Sequence, residues 1–202
     1  MNFSEQHINL FEQICAEWNK VEKDIKLAEQ VSGKAVIPSI NELRYAGRRI
    51  VDALAKARVP GSEHDVAVLL AEACFDCHRA RHDAIDVGSS IIAGECEAMV
   101  RHLGYEVILK TYPEFPALNA QLVKARRMIA HSRQNRDERE KIYAELEDVA
   151  FPGLVEKFNA LKASGPIMVE LAKSQRRKNA FLLLGFVVTL AGLVVSLIVL
   201  WK

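Results

Sequence analysis

The sequence lacks the signatures of β-strands and of repeat proteins. No stretch of useful length alternates apolar with polar residues, which is the pattern of a half-buried strand. No internal repeat and no low-complexity segment occurs in the 202 residues. These absences argue against a β-rich domain and a solenoid. Apolar residues recur instead at spacings of three and four, which predicts an all-α fold, a helical bundle.

The sequence also lacks the motifs of common enzymes. It contains no glycine-rich phosphate loop, no nucleophile elbow and no carboxylate pattern for a pair of metal ions. These absences argue against an ordinary metabolic enzyme. Whether the protein catalyses a reaction is left open, with a non-catalytic role favoured and no cofactor expected.

A large net charge of one sign is missing too. The formal net charge is +1, but residues 173–202 hold five basic residues and no acidic one, so the remaining 172 residues sum to −4. A part with this charge and no basic-and-aromatic run is a poor non-specific binder of nucleic acid, and no DNA partner is expected. Any RNA binding would use one local basic cluster, made of Lys124, Arg126, Arg127, Arg133 and Arg136.

The N-terminal segment MNFSEQHINLFEQ has neither the basic nor the apolar region of a secretory signal. We therefore expect the part before the terminal apolar run to be cytoplasmic, with its cysteines reduced. The four cysteines are Cys15, Cys74, Cys77 and Cys96.

Apolar spacing and capping residues predict the helix boundaries. The predicted segments are a helix from the N-cap Ser4 to Gly33, a second opened by a capping box of Ser39 and Glu42, a third from Ser62 to about Asp86 that Gly88 closes, a fourth from Ser89 to Leu103, a less regular stretch over 105–116 in which YPEFP is expected to be a loop, and a fifth helix from Ala117 to Ser132. Farther along, Pro152-Gly153 should kink or break a sixth helix. Gly165-Pro166 should then start a last helix that continues into the terminal apolar run.

The terminal run, residues 180–201, has 22 residues without a charge, an Asn, a Gln or a Pro. As a helix it would be about 33 Å long, enough for a hydrocarbon core about 30 Å thick. A buried core helix is the alternative, but such a helix usually shows a polar stripe. The predicted domains are a cytoplasmic bundle over 1–165, a basic juxtamembrane helix over 166–179 and a transmembrane helix over 180–201.

Basic residues precede the predicted span. Lys173, Arg176, Arg177 and Lys178 would lie against anionic head groups of the membrane surface. By the positive-inside rule they place the N-terminal part in the cytoplasm. The predicted topology is therefore a single pass, with the lipid bilayer as a partner.

The predicted span carries a stripe of small residues. Gly185, Thr189, Gly192 and Ser196 are spaced by four, three and four, so they share one face of a helix. Small residues let helix backbones approach closely, and hydroxyl groups can bond across the contact. The stripe predicts a homo-oligomer, although small residues also fall in such segments by chance.

The third predicted helix carries a cluster of potential metal ligands. Cys74 to His78 has the form of a c-type haem attachment site, but haem is attached to such sites outside the cytoplasm. Cys74, His78 and His82 recur every four residues and are the weak candidates for a zinc site. A second segment with ligands cannot be identified, so no metal is predicted.

Charged residues are dense in the second half of the same helix. The segment RARHDAID, residues 79–86, is unusually charged next to an apolar first half. It predicts either a solvated face or a buried salt-bridge network with Arg44, Arg48 and Asp52 of the second helix. Such a network often marks specificity or a switch.

Arg126 and His131 form a more specific pattern. An Arg and a His separated by four residues near a helix end resemble the R-x4–6-H motif of the HEPN superfamily, helical-bundle proteins of which many are ribonucleases. The resemblance implies that two protomers bring two motifs into a cleft, where His131 acts as general acid–base and Arg126 holds the phosphate. The sequence departs from the family at Arg127, where Asn, Asp or His is usual.

A HEPN-like helical domain with one membrane span resembles the small membrane-bound accessory proteins of RNA-targeting type VI CRISPR systems. That resemblance implies an oligomeric effector of bacterial antiphage defence in the bacterial inner membrane. Such an effector depolarises the membrane, in some cases through a pore, and works with an RNA-guided effector protein or an RNA signal. The alternatives are a membrane-tethered ribonuclease using Arg126 and His131, and a non-catalytic membrane scaffold.

Overall fold

The computed structural model describes residues 3–201, apart from the side chains of residues 195 and 197–199. Every regular element in this part of the chain is helical. The helices are α1 (Glu5–Ser32), α2 (Ile37–Lys56), α3 (Glu63–Leu103), α4 (Tyr105–Thr111), α5 (Phe115–Gln134), α6 (Arg139–Glu145), α7 (Phe151–Ala163) and α8 (Gly165–Leu200), with a 3₁₀ turn at Arg136–Glu138 and a π-helical segment at Leu146–Ala150. The predicted all-α class is confirmed.

The boundaries of α1 agree with the sequence. The Ser4 hydroxyl accepts a bond from the backbone N–H of His7 at 3.4 Å. Gly33 ends the helix at a φ of 66°, a left-handed conformation that suits glycine. Both caps were identifiable because each rests on local backbone chemistry alone.

The predicted break at Gly88 is wrong. Helix α3 runs without interruption through Gly88 and Ser89 for 41 residues. Gly88 is buried in it, and a Cβ there would lie 2.4 Å from Cζ of Phe151. This glycine therefore lets α7 approach the middle of α3 rather than ending the helix.

The predicted capping box also fails. Helix α2 begins at Ile37 with no side-chain cap, and within residues 3–201 the buried Ser39 hydroxyl has no hydrogen-bond partner instead of bonding with Glu42. The loop predicted at YPEFP is present at residues 112–114, but the stretch before it forms α4, and α5 already begins at Phe115. Pro116 lies in the first turn of α5, where a missing N–H costs no helical bond.

The helices enclose two adjoining apolar cores. The first lies among the N-terminal part of α1, α2 and the first half of α3. The second lies among the C-terminal half of α3, helices α4 to α7 and the start of α8. Helix α3 passes through both: Ala84 belongs to the first core and the adjacent Ile85 to the second. We call the boundary between the two cores the seam.

Helix α8 begins inside the second core and leaves it without a break. Met168 and Ala172 are buried among the core side chains, which for Met168 contributes about 1.5–3 kcal/mol. Farther along, the Arg176 guanidinium donates to the His102 carbonyl at the end of α3, at 2.6 Å. Residues 181–194, together with 196, 200 and 201, are exposed. Among the described residues, α8 is the one helix long and apolar enough to cross a membrane, with a mean hydropathy of 1.5.

Candidate functional site

The seam holds a cluster of charges centred on the buried Arg81. Only 3% of this arginine is exposed, and its guanidinium contacts three carboxylates. It donates to Glu17 of α1 at 3.1 Å, to Glu147 of the π segment at 3.1 Å and to Glu140 of α6 at 2.5 Å. We call these four residues the Arg81 cluster. Because each carboxylate comes from a different element, one guanidinium ties three elements to the middle of α3.

The π segment brings Glu147 into this cluster. Pro152 has no N–H to donate to the carbonyl of Asp148 four residues earlier, so a regular α-helix cannot continue here. The backbone responds with a wider turn, in which the Phe151 N–H donates to Leu146 five residues back. This turn leaves Glu147 only 4% exposed and directed at Arg81. Such π-helical turns occur frequently at functional sites.

Two imidazoles flank the cluster on α3. His78 Nδ1 lies 2.5 Å from Glu140 Oε2, and His82 Nε2 lies 3.2 Å from Glu140 Oε1. Burial alone would raise the pKa of Glu140, but hydrogen bonds with the two imidazoles outweigh it and hold the pKa well below its usual range. The His82 ring stacks on Tyr143 at a centroid distance of 3.7 Å. Glu140 is therefore an ionised acceptor shared by three cationic or polar groups.

Asp24 is the least satisfied charge near the cluster. It is fully buried on α1, and neither carboxylate oxygen has a hydrogen-bond partner within residues 3–201. Burial, aided by the charge of Glu147, raises the pKa of Asp24 to about 7. A proton at this site therefore exchanges near neutral pH.

A cleft of about 460 Å³ opens beside the cluster. Its wall includes Cys74, His78 and Glu140 together with Arg136 and Arg139. Burial raises the pKa of the Cys74 thiol, which disfavours the thiolate that a nucleophile needs. The cleft thus offers ion pairing between α3 and α6, and its cysteine is a poor nucleophile.

The predicted network exists, but its predicted partners are wrong. Arg48 and Asp52 pair with each other on the surface of α2 at 3.1 Å, away from Arg81. The α2 residues that do reach α3 are Arg49, which contacts Asp76 at 2.6 Å, and Glu42, which accepts from Arg79 at 3.0 Å.

The carboxylates Glu17, Glu140 and Glu147 were missed by sequence reasoning. Glu147 follows the buried Leu146, and Asp24 precedes the buried Ile25. An acid placed beside apolar positions of an amphipathic helix was the available signal. Glu140 had no such signal, because it stands in a wholly polar run.

The weak metal candidates form part of a polar chain. Cys74 Sγ lies 3.6 Å from His78 Nε2, and the other nitrogen of that ring faces Glu140. Within residues 3–201, no group of three or more His, Cys, Asp or Glu is arranged to hold a metal ion. The second cysteine of the haem-like motif, Cys77, is buried in the first core, which raises its pKa to about 12.

Arg126 and His131 lie on α5 without converging on one site. Arg126 faces Glu97 of α3 at 3.6 Å. His131 faces Glu138 at 3.2 Å, beyond the end of α5. Five residues on a helix correspond to a rotation of about 140°, so the two side chains leave the helix in different directions. Within one chain they form no shared cleft, and their joint use as a catalytic pair stays a prediction that requires a second chain.

The residues of the predicted stripe are exposed along α8. The Thr189 hydroxyl donates to the Gly185 carbonyl at 2.8 Å, and the Ser196 hydroxyl to the Gly192 carbonyl at 2.9 Å. A Cβ at either glycine would meet nothing within 4 Å. The stripe is therefore open, and its hydroxyl groups are bonded within their own helix.

The basic residues before the span lie on the same helix. Lys173 pairs with Glu170 at 2.9 Å, and Arg176 holds the end of α3. Arg177 and Lys178 are exposed.

No family model, no curated protein and no solved structure matches this chain. The functional proposal therefore depends on the Arg81 cluster, the cleft beside it and the continuity of α8.

Proposed function

We propose that the protein is a single-pass membrane effector in which the helical bundle controls a self-associating membrane helix and thereby depolarises the bilayer or makes it leaky. The observation that carries the proposal is the continuity of α8. One helix begins in the second core and extends through the basic residues into the apolar run. A flexible tether would suffice for an anchor alone, whereas an unbroken helix transmits a change in the bundle to the span.

The seam between the two cores is the part of the bundle that would change its arrangement. Buried ion pairs contribute little net stability because desolvation offsets their attraction, and they are strongly destabilising when one partner is lost. An ionic cluster that joins α1, α3 and α6 therefore suits an element with two arrangements better than a static core. Proton exchange at Asp24, or an ion entering the cleft beside His78, would bias the seam.

The open stripe supports self-association. Gly185 and Gly192 leave space along α8 that nothing in the described chain fills. In a bilayer, such a surface is where a second helix packs most closely. Since the span contains no ionisable residue, a pore formed by it would be lined by hydroxyl groups or apolar side chains and would be poorly selective.

The biological setting that we propose is bacterial antiphage defence, with the bundle in the cytoplasm and the span in the inner membrane. The resemblance to membrane-bound CRISPR accessory proteins supports this setting, and the basic residues before the span support the orientation. The activating partner would be an RNA-guided effector protein or its RNA signal.

The test is a membrane-potential dye in cells that express the full chain. Asn179→Pro would interrupt α8 between the bundle and the span, whereas Asn179→Ala would leave it continuous. We expect depolarisation with wild type and with Asn179→Ala, and its loss with Asn179→Pro although the protein still inserts. Depolarisation by the proline variant would contradict control by the bundle. If wild type arrests growth without depolarisation, the effector proposal fails.

A scaffold would behave differently in a second experiment. Replacing residues 180–201 with an unrelated apolar span keeps the anchor and removes the stripe. We expect the effect on the membrane to be lost. Unchanged activity would favour the scaffold alternative.

A further inference from the structure

A second cleft lies between α3 and α5, away from the Arg81 cluster. Its volume is about 480 Å³, within the range of small-molecule sites. Buried apolar side chains form its floor, including Cys96, Phe115 and Leu122. Two arginines, Arg101 and Arg126, lie in its wall with one acid, Glu97. An apolar floor with cationic groups beside it matches a ligand that has an apolar tail and an anionic head.

The two arginines differ in their contacts. Arg126 is partly neutralised by Glu97 at 3.6 Å, which is long for a direct ion pair. Arg101 is exposed and has no carboxylate partner among residues 3–201. The cleft therefore keeps one positive charge in excess of its acid. A guanidinium offers paired donors that fit the geometry of a phosphate.

The position of the cleft indicates where such a ligand would come from. Arg101 is adjacent to His102, whose carbonyl accepts from Arg176 of α8. Ala180, the first residue of the apolar run, comes four positions after Arg176, which is about 6 Å along the helix. The cleft thus lies at the end of the bundle from which the span leaves, where lipid head groups would meet it.

We infer that this cleft holds one acyl chain of an anionic phospholipid from the bilayer, with its phosphate at Arg101 and Arg126. The inference depends on α8 crossing a membrane, which is part of the proposed function. It gives Arg126 a role in lipid binding instead of phosphodiester cleavage. A bound lipid would also fix the bundle at a defined height on the membrane.

The test uses the purified full chain in detergent and native mass spectrometry, which counts bound lipids. The probes are dioleoyl phosphatidylglycerol and dioleoyl phosphatidylcholine, which share their acyl chains and differ in head-group charge. We expect one phosphatidylglycerol to be retained per chain, in preference to phosphatidylcholine. Equal retention of both lipids would overturn the inference.

Variants distinguish the cleft from general surface attraction. Val123→Trp places a large ring in the cleft from a half-exposed position, and retention of phosphatidylglycerol should be lost while circular dichroism stays helical. Arg101→Gln should weaken binding about tenfold, the loss of one charge-assisted hydrogen bond. Arg58→Gln is the matched control, since it removes one exposed charge that lies outside the cleft and apart from the basic residues before the span. Equal effects of the two glutamine variants, or full retention by Val123→Trp, would overturn the inference.

Two further outcomes are separable. If oleate displaces phosphatidylglycerol and binds more tightly, the site belongs to a free fatty acid and the phospholipid assignment is overturned. Lipid retention is measured without any activity, so its failure leaves depolarisation in cells intact. Loss of depolarisation with normal lipid retention would instead count against the proposed function alone.

Discussion

Gly88 of α3 lies directly against the ring of Phe151 at the start of α7. A Cβ at Gly88 would lie 2.4 Å from Cζ of Phe151 and 3.3 Å from Cβ of Ala28. Three helices therefore meet at a position where one has no side chain. Because Phe151 is fully buried and follows the π segment, it cannot move away without disturbing the turn that carries Glu147.

Gly88→Ala should therefore destabilise the protein even though alanine favours a helix. The steric cost in a packed core is about 1–3 kcal/mol, which exceeds the helix-propensity gain of about 1 kcal/mol. Gly94→Ala is the control, since Gly94 lies on the same helix and nothing is within 4 Å of its added Cβ. Thermal unfolding followed by circular dichroism should show a lower midpoint for Gly88→Ala and an equal or higher one for Gly94→Ala. Similar midpoints for both would show that Phe151 relaxes freely.

Arg81→Met should destabilise the protein by about 3–5 kcal/mol, because it leaves three carboxylates facing one another without their guanidinium. Arg48→Met removes an exposed partner of Asp52 and should change stability by less than about 1 kcal/mol. Urea unfolding of the two variants measures the difference. If Arg81→Met is no worse than Arg48→Met, the carboxylates of the cluster are protonated or solvated in the native protein.

Asp24 predicts a stability that falls as the pH rises. Its pKa is raised to about 7 in the folded chain and is about 3.9 when unfolded, so the folded state holds the proton more tightly. Stability should therefore decline between about pH 4 and pH 7, by on the order of 4 kcal/mol from this group. The charges that act on it are Glu147, Lys23, Arg81 and Asp148.

Asp24→Asn should remove this decline, so that the variant is more stable than wild type at pH 8. Urea unfolding at a series of pH values between 4 and 8 measures this decline in the variant and in wild type. Asp65→Asn is the control, because Asp65 is exposed and paired with Lys56. An unchanged slope in Asp24→Asn would assign the titration to another group.

Gly192→Leu should weaken the oligomer by about tenfold or more, since a large side chain on the stripe prevents close approach of a second helix. The single chain tolerates the change, because nothing lies within 4 Å of the added Cβ. Val194→Leu alters the opposite face and should have little effect. Analytical ultracentrifugation in detergent compares the two variants. Equal association of both would make the stripe incidental.

His131→Ala separates the effector from the ribonuclease alternative. His131 is exposed, and within residues 3–201 its ring is bonded only to Glu138 and Asn135, so its loss should change stability by less than about 0.5 kcal/mol. We expect depolarisation to persist in this variant. An RNA-cleavage assay on wild type and variant tests the ribonuclease alternative. Cleavage by wild type that is lost in His131→Ala would favour the ribonuclease.

Patterns confined to one helix were predictable from the sequence. The caps of α1 and the apolar character of α8 depend on neighbouring residues only, and both agree with the structure. Gly88 shows that a pattern within one helix does not reveal contacts with residues distant in the chain. A glycine after an amphipathic run is typical of a helix end, but here its purpose is to accommodate Phe151, which is 63 residues away in the chain.

The Arg81 cluster was predictable only in part, because its carboxylates come from elements far from Arg81 in the chain. The density of charge in residues 79–86 left a solvated face and a buried network as alternatives, and both the choice and the partners depended on how α1, α6 and the π segment pack. The π segment itself follows from Pro152, but a proline permits a kink, a break or a widened turn. The structure contains the widened turn, and this turn buries Glu147 beside Arg81.

The continuity of α8 also determines the direction in which each face of its apolar run points relative to the bundle. Successive residues of a helix are rotated by about 100°, so the docking of Met168 and Ala172 fixes the direction in which Gly185 and Gly192 face relative to the bundle. In the proposed oligomer, a neighbouring chain would therefore approach each bundle from one side. The spacing and the handedness of any ring of spans would then be set outside the membrane, by the shape of the bundles that meet above it.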